Sequence, residues 1–452
     1  MDERLSYTDG ESPPPHRRRR RVVRIAIGTV VGILVVGGGW YWNALRVARE
    51  TIDRHRARFE RERAALVARP RTRPAVLEPI GTGTAEDVAA RFEAAVAALP
   101  EEELSRLPPW NYDPSDAAPP NEIDRILAAH PEPLAALAEI LHVSSAASLG
   151  PIGPAMAAET ASIARRQEAV RWTSTALARA IARSDRAAAF RLAAEALLLG
   201  ADYGRQATYV ARLVGAGVER VATQPLEAVL ANGAIDVDGA RTLARTFDVA
   251  DAARSSLGDV TEVEGVSMRG AWSLAVFADQ NAVVKCGWRH MWSLKILVSD
   301  ALGALDADMA RAYSIVATAD GDAPRAIAEA ERLSNGEDNL LARMPLVVLP
   351  SVVKADTRAV AARRVTRTAL AIALRIAQTG SAPASLADLV PDFLARVPTD
   401  PWDGKPLHYA AGPPARVWSI GEDAHDDGGV PYAEPDSPSV PGDVVVTIGT
   451  PR

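Results

Sequence analysis

Two glutamates in DVTEVEGVSMRGAW, Glu262 and Glu264, are the first residues whose types could do acid–base chemistry. Two-residue spacing brings both to one face only in a strand, and the surrounding pattern is helical. A retaining glycosidase pair needs carboxyls about 5 Å apart, which spacing alone does not supply. Surface or capping carboxylates are the ordinary reading. WRHMW sets His290 between Trp288 and Trp292, either as an aromatic active-site cluster or as a packing histidine. The seven histidines are scattered, with no HExxH zinc motif, no GxSxG elbow and no phosphate loop at GTGT or GPIGP. The third candidate is WSIGEDAHDDGG, residues 418 to 429, with four acidic side chains and three glycines after an apolar strand. It reads as an acid pair, a metal loop or a polar turn.

The elements that must position these residues begin at a charged end. PPPHRRRRRVVR carries Arg17, Arg18, Arg19, Arg20, Arg21 and Arg24, and an uncharged run follows from Ile25 to Trp42. Eighteen residues at 1.5 Å each give about 27 Å, and a few flanking residues complete a span. Trp40, Tyr41 and Trp42 form an aromatic belt at the far end, and the arginines hold the amino terminus in the cytoplasm. The run is long and no small-x-small cleavage site follows, so an uncleaved anchor is expected rather than a signal peptide. The arginine cluster beside a span is read as topology.

Composition bounds the rest. The chain has 452 residues, a net charge of -6, 48% hydrophobic and only 5% aromatic residues. The acidic balance argues against a nucleic-acid binder. Abundant alanine favours packed helices. The single cysteine, Cys286, excludes an intramolecular disulfide and any multi-cysteine cluster, and reads as a buried apolar residue.

The expected order is a cytoplasmic Arg-rich tail (1–24), a transmembrane helix (25–44), a charged stalk helix (45–69), a helical domain (84–345), an α+β module (356–430) and a Pro/Gly-rich tail (431–452). The fold class is therefore mainly α, with a large helical extracytoplasmic domain and a small α+β module at the carboxy end. Thr84 is a candidate N-cap for a helix that stops at Pro100. LPPWNYDPSDAAPPN, residues 107 to 121, is a proline-rich loop whose aromatics are expected to pin it to the body. From about Asp356 to Gly380 one helix turns Val365, Ala369, Leu370, Ile372, Ala373, Leu374 and Ile376 to one side and Arg364, Arg367 and Arg375 to the other. LHY and RVWSI alternate as a hairpin, and DVVVTI is a further strand that adds to the sheet edge or is left exposed for strand addition.

The succession LADLVPDFL, TDPWDGKPLHY and VWSIGEDAHDDGG resembles the carboxy-terminal domain of type II secretion major pseudopilins, with their DPWG-PY-Y and YS-GADG-G-GG signatures. It is more similar still to versions of that module on large, mostly uncharacterised membrane-anchored proteins of planctomycete-like bacteria. The resemblance covers about 75 residues. It implies a calcium loop at Ser419, Asp423, Asp426 and Asp427, hard oxygen donors that suit that ion. An ion-free hydrogen-bonded turn is the alternative. Asp400, Pro401, Trp402, Asp403 and Gly404 form a structural turn. The chain departs from the pattern at Ala424 and His425, has no acidic residue in its span, and separates span and module by more than 300 residues. The function expected is non-enzymatic. A single-pass protein of the cytoplasmic membrane takes a structural or assembly role, ancillary to a secretion or pilus-like system, with the bilayer and envelope proteins as partners. The alternatives are an extracytoplasmic hydrolase using Glu262, Glu264 and His290, and a ligand-binding or sensor domain.

Overall fold

The computed structural model describes residues 15–69, 72–80, 83–108, 120–145, 156–205, 208–233, 235–275, 287–335, 346–431 and 442–449, with the backbone alone for 15–28, 33, 156–164, 272–275 and 287–297. The first helix, α1, runs unbroken from Pro15 to Val67, 53 residues or about 80 Å. Its two halves differ in surroundings. Val30, Leu34, Val35, Val36, Trp40 and Trp42 are exposed, whereas Ala48, Ile52, Phe59 and Leu66 are buried. Among the described residues one helix is long and apolar enough to cross a membrane, and it is this one. The charged stretch after residue 44 continues it and packs one face into the body.

The body is mainly helical. Its elements are α2 (Ala85–Ala97), α3 (Glu101–Arg106), α4 (Pro120–Ala129), α5 (Glu132–Ala138), α6 (Met156–Ala182), α7 (Arg186–Gly204), α8 (Tyr209–Thr223), α9 (Leu226–Ala231), α10 (Val237–Ala252), α11 (Leu257–Ala275), α12 (Gly287–Val316), α13 (Ala323–Asn335) and α14 (Leu349–Thr379). Thr84 does cap α2: its hydroxyl accepts from the Asp87 amide while the Asp87 carboxylate accepts from the Thr84 amide. Asp185, Thr208 and Asp236 cap α7, α8 and α10 from one side only, each side chain accepting from a backbone amide. Pro100 opens α3 directly after α2 ends. The loop aromatics Trp110 and Tyr112, with Cys286, lie outside the described residues.

Two hydrophobic cores form. One joins α2, α6, α7, α8, α9, α10 and the later half of α14 to the carboxy-terminal sheet. The other joins the distal half of α1 to α11, α12, α13 and the early half of α14. α14 therefore runs through both. It begins at Leu349, earlier than Asp356, because Val352 and Val353 have a core of their own to enter. It ends at Gly380, whose φ of 78° is the left-handed stop that a residue without Cβ adopts freely.

Crossing α7 against α8 brings backbone to backbone. A Cβ on Gly215 would stand 2.7 Å from the Gly200 oxygen and from the Gly204 nitrogen, so only glycine permits this approach. The sheet has order β1-β2-β3, with β1 His408–Ala410, β2 Ala415–Ser419 and β3 Val444–Ile448, all antiparallel. The hairpin and the added edge strand both form. Val417, Val446 and Ile448 face α14, whose apolar arc, including Val365, Leu370, Ile372 and Leu374, is buried as the wheel requires.

Candidate functional site

The two motif segments of the carboxy-terminal module meet at one buried carboxylate. Asp400 is fully buried. Its Oδ1 accepts from the Trp402 amide at 3.0 Å and from the Ser419 hydroxyl at 2.9 Å, and its Oδ2 accepts from the Ile420 amide at 2.8 Å. The turn closes with the Gly404 amide donating to the Asp400 carbonyl at 2.8 Å, and Gly404 holds a φ of 73°. The Asp403 carboxylate accepts from the Lys405 amide at 3.0 Å. Pro401 offers its carbonyl to the Gly321 amide at 3.0 Å, which docks the turn on the α12–α13 link, and Trp402 is buried in the second core. Burial pushes the Asp400 carboxyl above its ordinary pKa, against the three donors that favour its ionised form.

The remaining acidic residues form a separate loop. Ser419, expected beside the aspartates, is instead fully buried and committed to Asp400. Asp423 accepts from the His425 amide at 3.2 Å and the Gly442 amide at 3.3 Å. Asp426 accepts from the Trp418 indole at 2.9 Å and the Gly428 amide at 3.0 Å, and His408 Nδ1 lies 3.2 Å away. The Trp418 hydrogen bond holds its carboxyl below the usual range. His408 stacks on Trp418, its cross-strand partner, with ring centroids 5.5 Å apart.

Asp427 donates its amide to Asp443 at 3.4 Å, and its own Oδ2 is buried without a hydrogen-bond partner. Asp443, which lies beyond the motif and which sequence reasoning missed, accepts from the Gly429 amide at 2.7 Å. Burial, with Asp426 and Asp427 nearby, raises its pKa although two backbone amides favour the anion. A calcium cage needs six or more oxygens converging on one point. Here the oxygens of Asp423 and Asp426 are spent on amides and an indole. Among the described residues no group of three or more acidic, histidine or cysteine side chains could hold a metal. Asp423 and Asp426 thus take their donors from within the chain, while Asp427 Oδ2 has none.

Between this module and the body lies a cleft of about 420 Å³, walled by α8, α14 and β3. Leu213, Ala359, Val444 and Val445 give it apolar walls, and Arg358 with Glu422 closes one rim as an ion pair. Glu219 and Arg363 in its wall belong to a chain of ion pairs, mostly buried. Arg212 donates to Asp356 at 2.5 Å and to the Ser255 carbonyl at 3.1 Å. Arg254 bridges Asp356 and Glu219, and Arg363 bridges Glu219, at 3.1 Å, and Asp251. Burial opposes ionisation of Asp356, but Arg254 and Arg212 prevail and hold its pKa down. These six side chains neutralise one another and join α8, α10 and α14. Periodicity gave no sign of them, since their partners are distant in sequence.

The sequence candidates for catalysis are kept apart. Glu262 forms a two-pronged surface pair with Arg69, at 2.6 and 2.9 Å. Glu264 turns inward and accepts from the Tyr209 amide at 3.1 Å, capping the start of α8. The His290 side chain lies outside the described residues. No family model, curated protein or solved structure matches this chain.

Proposed function

We propose that this chain is a single-pass protein of the cytoplasmic membrane, amino terminus inside and body outside, serving the envelope as a structural or assembly component. The observation that carries the reading is the division of α1. Its exposed apolar half has the length and the aromatic edge of a bilayer span, and the same helix then becomes part of the body's core. An anchor built into the core in this way holds the body at a fixed height over the lipid. The pseudopilin-like motif order supports a role beside a secretion or pilus-like system, and the mutual neutralisation of the six charges around the cleft supports scaffolding over catalysis there.

The test is affinity capture of the full-length tagged protein from detergent-solubilised native membranes, with calcium and again with a chelator. Stoichiometric envelope proteins are expected in both eluates, because the Asp423 and Asp426 carboxylates already accept from donors within the chain. A solitary protein in both would overturn the assembly role. Partners lost on chelation would overturn the ion-free reading of the loop.

A ligand-binding role is the second reading, favoured by the cleft, whose volume lies in the range of small-molecule sites. A ligand found by thermal-shift screening should lose its effect in Ala359→Trp, which fills the cleft. If its effect persists in that variant, the cleft is not its site.

A further inference from the structure

The register of three helices places a second aromatic group level with the edge of the proposed span. α11 runs antiparallel to α1: Arg69 pairs with Glu262, Arg269 donates to Glu62 at 3.1 Å, and Gly270 abuts the Phe59 ring. α12 in turn runs antiparallel to α11, since Gly258 meets Tyr313, Gly265 meets Met309 and Arg269 donates to Asp306 at 2.6 Å. α12 is therefore parallel to α1. The level is fixed by Arg58, whose Nη1 is 2.5 Å from Asp306.

From that shared level both helices run back toward the bilayer at about 1.5 Å per residue. Trp292 precedes Asp306 by fourteen residues and Ala44 precedes Arg58 by the same number; Trp288 corresponds in this way to Trp40. α11 ends at Ala275, level with residues near 53 of α1, so the opening turns of α12 extend beyond it toward the lipid. Trp288 and Trp292 are four residues apart and share one face of α12, with Met291 beside them. On α1, Ala44 and Leu45 are half-buried, while Trp40 and Trp42 are 72% exposed. The described residues of the body thus reach the level of the span's aromatic belt.

We propose that residues 287–292 of α12 seat in the headgroup region of the same bilayer, a second membrane contact beside Trp40, Tyr41 and Trp42. The chemistry suits that layer. Tryptophan, with an apolar ring and one N–H donor, is enriched at the lipid–water boundary, and the same turns carry Arg289 and His290, residue types suited to a phosphate-rich layer. Two contacts fix the tilt of the body as well as its height. This inference rests on the membrane-anchor reading.

The test uses the full chain with Cys286→Ser, carrying one nitroxide label at a time at Val36→Cys, Trp288→Cys, Trp292→Cys or Tyr313→Cys. Each is placed in nanodiscs of phosphatidylethanolamine and phosphatidylglycerol, and collision with oxygen and with a water-soluble nickel chelate is measured. Tyr313, half-exposed and far along α12, is the aqueous reference. The expected result is a label at 36 in lipid, and labels at 288 and 292 severalfold less accessible to nickel than 313 yet more accessible to oxygen. A lipid-embedded 36 with 288 and 292 as nickel-accessible as 313 would overturn the second contact and leave the anchor standing. Shielding of 288 and 292 from both reagents, meaning burial in protein, would overturn it too. A water-exposed 36 would bring down the anchor reading and this inference with it. The two α12 sites are independent, so a folding defect at one leaves the other to decide.

Discussion

Replacing Asp400 with alanine removes the one acceptor that joins the DPWDG turn to the end of β2. Three donors lose their partner: two peptide amides, at Trp402 and Ile420, and the Ser419 hydroxyl. An orphaned buried donor costs about 1–3 kcal/mol, and the hydroxyl, which can rotate, loses least. The two amides alone give about 2–6 kcal/mol. Against this, the carboxylate is itself costly to bury, as its raised pKa records, so its removal returns part of the loss. A net destabilisation of about 2–4 kcal/mol is expected. The assay is denaturant unfolding of the full chain in detergent, with hydrogen exchange of peptides covering 398–407 and 418–422 as the local readout. Exchange should rise in both peptides together, because one carboxylate holds both. Asp423→Ala is the comparison: its side chain is exposed and its two hydrogen bonds are long, at 3.2 and 3.3 Å, so a loss under about 1 kcal/mol is expected. Equal losses in the two variants, or unchanged exchange at 398–407 in Asp400→Ala, would refute the claim that Asp400 ties the module together.

Glu195 is fully buried with both carboxyl oxygens lacking a hydrogen-bond partner, and burial raises its pKa to about 7, with Arg191 opposing weakly. Since the folded-state value is the higher, its contribution is complete below the ordinary 4.5 and is lost as pH climbs through about 7. That amounts to about 3 kcal/mol; Glu195→Gln should flatten the fall in melting temperature over this window, and an identical pH slope in both proteins would count against it. Gly215→Ala should cost about 2–4 kcal/mol because its Cβ meets backbone, whereas Gly217→Ala, with nothing within 4 Å, should be neutral or gain up to about 1 kcal/mol of helix propensity. Calcium titration should leave the melting temperature unmoved, as any ion binding the folded state alone would raise it; a saturable rise abolished by Asp426→Ala would show that the loop rearranges to take the ion.

Much of the local structure was legible because it rests on local chemistry. The Thr84 cap, the Gly380 stop, the hairpin and the apolar half of α1 each declare themselves within a few residues. What escaped was long-range. Arg212 and Asp356 are 144 positions apart, and each alone resembles a surface charge on an amphipathic helix. Gly200, Gly204 and Gly215 look like weak points in helices until the crossing of α7 and α8 shows that they permit it. Ser419 stood within the resemblance to a metal loop, but its hydroxyl turns to Asp400, nineteen residues earlier in the chain. Asp443 lay past the end of the motif and came into the loop through the pairing of β3 with β2.

The continuity of α1 also sets an angular phase. Because the helix from Pro15 to Val67 is continuous, the direction in which each body residue points is locked to the face that the proposed span turns to its surroundings. Adding one residue between Trp42 and Ala48 would rotate the body by about 100° about the helix axis, and adding seven would restore its azimuth to within about 20° while lifting it about 10 Å. A body that also leans on the lipid through α12 would tolerate neither change, whereas one held by α1 alone would follow the helical repeat.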